Sequence, residues 1–284
     1  MRRWLSSYVQ LARQYTETKS LVLMYHRVVD PDTDSWDLAV SPAHFEQHLR
    51  VLQQLGSVIS AADLAERLSN RTLKHRSIAI TFDDGYLDNY TNASPLLTRY
   101  QLPATFFIVS GNVGLAQEFW WDELADILLL SVRLPPFFSL TLPGEGHLAA
   151  DLLTEQLLTP ELRHQHQLWR VSEAAPPTQR AALFYQVWQY LKPLTAPNQQ
   201  LVLQQLRTWA GRLSATIRPT HQSISLSQLR ELSANPLFTI GAHSVTHPAL
   251  ASHSINVQEH ELVASRQALH EAIGQPVELL AYPY

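Results

Sequence analysis

Cysteine is absent from the 284 residues. That excludes a disulfide framework, a thiol nucleophile and a thiolate metal site, so any metal must be held by His, Asp or Glu. A concentrated excess of positive charge is lacking too. With a formal net charge of -4, the balance gives no support for a nucleic-acid partner, which would need a basic face. No window approaches the roughly 20 apolar residues needed to span a bilayer. The first twenty residues open with Arg2 and Arg3 but lack the continuous apolar core of a secretory signal, so a cytoplasmic protein without a transmembrane segment is expected. No internal repeat or low-complexity tract is found.

What is present is enough apolar material for a packed core: 45% hydrophobic residues, punctuated by 17 prolines. The length suits one barrel-sized domain carrying an insertion. Trp4, Tyr8, Leu11 and Tyr15 recur at helical spacing and predict an N-terminal amphipathic helix over 1–19. Its apolar stripe packs on the domain or, through residues 1–15, rests peripherally on a membrane surface.

The central stretch is Ser77-Ile78-Ala79-Ile80-Thr81-Phe82-Asp83-Asp84-Gly85. A β-branched and apolar run that ends in two carboxylates and a glycine reads as a buried strand delivering acids to its C-terminal edge. That edge is where parallel α/β sheets put their chemistry. Adjacent carboxylates repel when buried, and a cation would resolve the conflict by taking one and leaving the other as a base. A strand followed by an ordinary Asp-Gly turn is the alternative.

Around it, Ser20 to Val29 reads as a second buried strand, running into His26 and Arg27. Ser41 and Pro42 open a helix with Phe45, Leu49, Leu52 and Leu55 on one face, stopped at Gly56. A short strand at Val58-Ile59 and a helix from about Ala61 to Ser69 precede the central strand. Asp88 or Ser94 caps a helix opening at Pro95, and Ala104 to Ser110 is a third buried strand, making a βαβ unit with a parallel sheet.

From about Asn112 to Gln222 leucine-rich helical periodicity takes over, broken at Pro135-Pro136, Pro176-Pro177 and Pro193, and predicts an insertion of several helices. Its His164 and His166 are expected to be solvated. Trp120-Trp121 could stack on a sugar or pack at the foot of the insertion. The α/β pattern then resumes: a helix from Ser225 to Ser233, a strand over Phe238 to Gly241, a long helix from Val257 to Ile273, and a last strand from Val277 to Tyr282.

After the Phe238 strand comes Ala242-His243-Ser244-Val245-Thr246-His247-Pro248. Histidines four apart lie on one side of a helical turn or tight loop, so both imidazoles can reach one cation at about 2.0–2.1 Å. Among 13 histidines such a pair carries little information alone. Joined to the acids of the central strand it makes a set of two histidines and one carboxylate with room for water.

Together, Thr81-Phe82-Asp83-Asp84-Gly85 and His243-Ser244-Val245-Thr246-His247 resemble the first two signature motifs of polysaccharide deacetylases with the NodB-homology domain, carbohydrate esterase family four. Ala281-Tyr282-Pro283-Tyr284 resembles the third, Arg-x-Pro-Tyr, with alanine for arginine. The resemblance implies a deformed (β/α) barrel of about seven strands, here truncated at its C-terminal end. The barrel would be formed by 20–111 and 223–284 around the insertion at 112–222, with the chain ending inside the third motif.

By the same resemblance Asp84, His243 and His247 bind a divalent metal, usually zinc, and Asp83 is the catalytic base. His26 is the candidate acid, by likeness to a branch that carries this histidine on its first strand, and the backbone N–H of Tyr284 assists the oxyanion. The implied reaction is removal of N-acetyl groups from an amino-sugar polysaccharide or oligosaccharide, releasing acetate. An inactive carbohydrate-binding relative and an amidohydrolase of a small N-acyl compound are the alternatives. Arg27, on the neighbouring strand position to His26, is expected to face away and so not to replace the missing motif arginine.

Overall fold

In a computed structural model, residues 20–74, 76–142 and 146–284 are described. The amphipathic helix expected over 1–19, with its alternative role at a membrane surface, lies outside the described residues.

The described residues begin with β1 (Ser20–Tyr25) and β2 (Arg27–Val28), which pairs with β3 (Ala39–Val40). Helix α1 (Pro42–Leu55) follows. The Ser41 hydroxyl accepts the His44 N–H at 3.2 Å, and Phe45, Leu49 and Leu52 form its buried face. Short β4 (Ser57–Val58) and α2 (Ala61–Ser69) lead into β5 (Ser77–Phe82), whose six residues are all buried. A π-helical turn over Asn89–Ala93 runs into α3 (Ser94–Arg99), and β6 (Ala104–Ile108) returns the chain to the sheet.

Every pairing in this sheet is parallel. β1 covers one side of β5. β4 covers the first residues of the other side and β6 the last. β6 then pairs with β9 (Phe238–Ala242). The order is β1-β5-β6-β9, with β4 as a fifth strand beside β5, and among the described residues the sheet is open.

Two strand expectations change. β1 is not buried: Leu21, Val22 and Met24 are 48%, 55% and 63% exposed. An apolar run cannot tell an inner strand from an outer one, and β1 pairs only with β5 among the described strands. At the other edge, Val277 to Tyr282 forms a single bridge, Leu280 to Ala242. It is held by the Ala242 N–H on the Leu279 carbonyl at 2.8 Å and the Ala281 N–H on the Ala242 carbonyl at 3.0 Å.

Between β6 and β9 lie α4 (Trp120–Ala125), α5 (Pro160–Leu168), α6 (Gln179–Leu191) and α7 (Ala196–Trp209). They are not alone. An antiparallel hairpin of β7 (Phe137–Leu142) and β8 (Gly146–Asp151) replaces part of the helical insertion expected there. Phe137 to Leu142 alternates outward and inward residue by residue, a period of two that sets Phe138, Leu140 and Leu142 on the core side. His166 is also corrected: it is fully buried, with Nδ1 on the Leu129 carbonyl and Nε2 on the Thr178 hydroxyl, both at 2.9 Å.

Helices α8 (Leu226–Ala234) and α9 (Ile255–Ile273) flank β9. Ser225 and Gln228 close a capping box on α8, and Gly274 ends α9 in the left-handed conformation at φ 68°. The apolar interior falls into two main clusters. One surrounds the sheet through Phe45, Phe82, Phe106 and Ile240. The other joins the hairpin to α4, α6 and α7 through Leu128, Phe138, Phe184 and Leu203.

Candidate active site

β5 ends under Asp83, and the Asp83 N–H still bonds the Tyr25 carbonyl at 2.9 Å. In continued strand geometry Asp83 and Asp84 would face opposite ways. Asp84 instead takes a left-handed φ of 73°, and both side chains line one cavity. Gly85 follows at φ +81°, where a Cβ would stand 3.0 Å from Ile108 Cδ1. A side chain here would meet strain and crowding together.

The histidine pair leaves β9 in a tight loop rather than a helical turn. His243 donates its backbone N–H to the Ile108 carbonyl, so β6 sets its height. Ser244 and His247 are again left-handed, at φ 63° and 56°. Strain of this kind persists only where the surroundings over-determine it, and α9 does so here. The buried Glu261 carboxylate accepts the Val245 and Thr246 N–H groups, both at 2.8 Å, and the Thr246 hydroxyl at 2.7 Å. Ser265 donates to the Ser244 carbonyl at 2.8 Å, and the Ser244 hydroxyl accepts the His247 N–H at 3.0 Å.

The result is convergence. His243 Nε2 lies 3.5 Å and His247 Nε2 3.3 Å from the same oxygen, Asp84 Oδ1. The three prospective ligand atoms lie within 4.8 Å of one another, and all three residues are buried. Asp84 Oδ1 and Asp83 Oδ1 are both buried without a hydrogen-bond partner among the described residues. His243 Nδ1 faces the Ala281 carbonyl at 3.0 Å. A carbonyl can only accept, so Nδ1 carries the proton and the Nε2 lone pair is turned toward Asp84.

Burial drives the electrostatics. It pushes Asp83 up to about 7, with the Asp84 charge adding to it. Burial would raise Asp84 as well, but the close approach and charge of His247, then the charges of His26 and His243, hold it below the usual carboxylate range. Burial lowers His243 to about 4 against the opposing pull of Asp84. A neutral imidazole and an ionised carboxylate are the states that a divalent cation requires, so this donor set fits one.

His26, Asp83, Asp84, His243, His247 and Tyr284 all line the same cavity, of about 390 Å³. Burial lowers His26, Asp84 opposes that, and His247 adds to it. The ring of Tyr284 stands edge-on to His247 with centroids 4.8 Å apart. Arg27 points the other way, as strand alternation requires, and pairs with Asp88 at 2.9 Å.

The polysaccharide deacetylase family model matches residues 70–128 and 202–284, half of the chain. The chain belongs to the polysaccharide deacetylase family.

Relatives agree with that membership over part of their length. The protein YxkH of Bacillus subtilis is 33% identical over 95 residues, 33% of each chain. The poly-beta-1,6-N-acetyl-D-glucosamine N-deacetylase of Staphylococcus aureus is 29% identical over 114 residues, 36% of this chain and 39% of that protein. The matches thus span between a third and two fifths of these curated relatives. Among solved structures, IcaB from Ammonifex degensii superposes with a TM-score of 0.52 at 18% identity, covering 94% of this chain and 75% of that one. The Streptococcus pyogenes deacetylase PplD in complex with acetate gives 0.51, with the same identity and coverages. At such identity the likeness concerns the fold. No helix among the described residues is long and apolar enough to cross a membrane.

Several residues of this deacetylase-family site escape sequence reasoning. Trp188 and Lys192, from α6 and its end, line the cavity, but their spacing of four looks like any helix face. Glu261 lies in the middle of a long helix, where an acid is ordinarily solvated. Trp121 is half-buried against the cavity rather than only at the foot of the insertion. Its ring lies 4.8 Å from His247, and its Nε1 donates to the Tyr86 hydroxyl at 2.8 Å. Tyr86 in turn donates to Asp122 at 2.6 Å.

Proposed function

We propose that this chain hydrolyses the N-acetyl amide of an amino-sugar glycan, giving acetate and a free amine. The observation that carries the reading is the meeting of Asp84, His243 and His247 beside an unpartnered Asp83 in one cavity. Family membership supports the amide chemistry, and the activity for which the Staphylococcus aureus relative is named supports an N-acetylglucosamine polymer as the substrate class. By resemblance to the family, the open sheet is read as part of a deformed barrel, with 112–222 as its insertion.

Asp84 Oδ1 and the Nε2 atoms of His243 and His247 would hold the divalent ion, and two imidazoles with a carboxylate suit zinc. When bound, such an ion polarises the acetyl carbonyl and acidifies water. Asp83, outside the ligand set, takes a proton from the attacking water as its oxygen joins the acetyl carbon. The Tyr284 backbone N–H donates to the oxygen on which negative charge develops. A ring nitrogen of His26 delivers a proton to the departing nitrogen as the C–N bond breaks, because an unprotonated amide nitrogen is a poor leaving group. Trp121, Trp188 and Tyr284 offer aromatic faces on which a sugar ring can lie.

The test is acetate release from defined N-acetylglucosamine oligomers, with metal returned to metal-free protein. Metal-dependent acetate is expected, and its absence across the panel overturns the reading.

A second reading is a glycan-binding relative without turnover. Ala281 in place of the motif arginine favours it, because by resemblance that arginine would orient Asp83, and Arg27 is committed to Asp88 instead. Such a protein would bind the oligomers and release nothing.

A further inference from the structure

Lys192 is a cation of the cavity that the proposed reaction does not use. It directly follows α6, and its backbone N–H closes the last turn on the Trp188 carbonyl at 3.0 Å. Its Nζ stands 4.1 Å from the Tyr284 ring centroid and 5.1 Å from that of Trp188. Tyr284 also contacts His247, so one aromatic ring separates the ammonium from the candidate metal ligands.

Among the described residues no carboxylate pairs with Lys192. The acids lining the same cavity are Asp83 and Asp84, and both have roles in the proposed chemistry. A half-buried ammonium held on two aromatic faces keeps part of its stabilisation from them. It also keeps donors free, since its ring contacts use no N–H···O bond. An ammonium that lines the cavity without an acid of its own is matched by an anion brought in by the ligand.

Resting on the deacetylase reading, we propose that Lys192 is a specificity-determining residue that selects glycans carrying a carboxylate beside the N-acetylated sugar. The offset of one ring from the metal ligands suits a group on the neighbouring sugar rather than the acetyl under attack.

The test compares binding of a hyaluronan tetrasaccharide, in which N-acetylglucosamine alternates with glucuronate, with the same tetrasaccharide after reduction of its carboxyl groups. Calorimetry on the full chain without added metal reads affinity separately from turnover. The wild type is expected to bind the acidic form about tenfold more tightly or better, and the gap should shrink as salt is raised. Lys192→Gln should bring the ratio to about one, and Lys192→Arg should keep the preference.

Equal affinity of the wild type for the two forms, or a ratio unmoved by Lys192→Gln, overturns the assignment. Acetate release from neutral oligomers together with equal affinities sinks this inference alone. A charge-dependent preference mediated by Lys192, with no acetate released after metal addition, sinks the catalytic reading alone.

Discussion

The His243 imidazole donates from Nδ1 to the carbonyl oxygen of Ala281 at 3.0 Å. Position 281 is where the chain departs from the family motif, yet its backbone still orients a candidate metal ligand. The His243 contact survives the departure because it needs only a carbonyl.

Replacing Asp84 or His247 by alanine removes one of three convergent donors. Metal content measured by elemental analysis should fall from about one ion per chain to near zero. Unchanged stoichiometry in either variant would refute the ligand assignment.

Asp83→Asn keeps the shape of the side chain and removes its basicity. The variant should hold metal as the wild type does and lose acetate release by about 10²–10⁴-fold. A wild-type rate would remove Asp83 from the role of base.

His26→Ala should likewise retain metal, with the rate reduced by about 10²–10⁴-fold through loss of the proton donor. If rate and pH profile are both unaltered, the histidine is a structural component of the link between β1 and β2.

Glu261 never reaches the cavity but accepts three bonds from the loop that carries both histidines. Glu261→Gln weakens charge-assisted acceptance and turns a donor toward donors. A loss of about 2–3 kcal/mol in stability is expected, with metal affinity lowered about 10–100-fold. Chemical denaturation and metal titration read the two effects, and wild-type values for both would deny the helix its positioning role.

His166 gives the pH dependence of stability a sign. Burial, the largest influence, lowers its pKa below the ordinary 6.5, the Leu129 carbonyl pulls it upward, and Arg180 pushes it down. A depressed histidine stays neutral in the folded chain while the unfolded chain takes up the proton. The stabilisation is therefore full above about 6.5 and is lost as pH falls below that. His166→Asn should be less stable than the wild type at pH 8. The difference should narrow on going to pH 5, as followed by denaturant midpoints. A constant gap would show that His166 does not titrate on unfolding.

The sequence was most informative where local chemistry and chain direction coincide. The all-buried run Ser77 to Phe82, the acids after it, and a strand followed by His243 and His247 are legible because strand ends and ligand types are local properties. The helix starts at Ser41 and Ser225 and the stop at Gly274 are local in the same sense. Leu21, Val22 and Met24 were misleading because the number of neighbours a strand has is not written in its own residues. The hairpin at Phe137 to Leu142 was overshadowed by the leucine-rich helices on either side. His166 read as solvated because the partners that satisfy it come from Leu129 and Thr178, well away in the chain.

By itself, then, the sequence determined the parallel α/β pattern and the identity of the six residues that gather in the cavity. Tertiary structure decided how they meet. The left-handed turn at Asp84 brings neighbouring carboxylates to one side, Glu261 and Ser265 hold the histidine loop, and the Ala281 carbonyl selects the His243 tautomer. It also decided that Trp188 and Lys192, from a helix of the second core, complete the cavity wall. The physical reason is range: propensity and alternation act over a few residues, whereas these contacts depend on segments far apart in the chain being packed together.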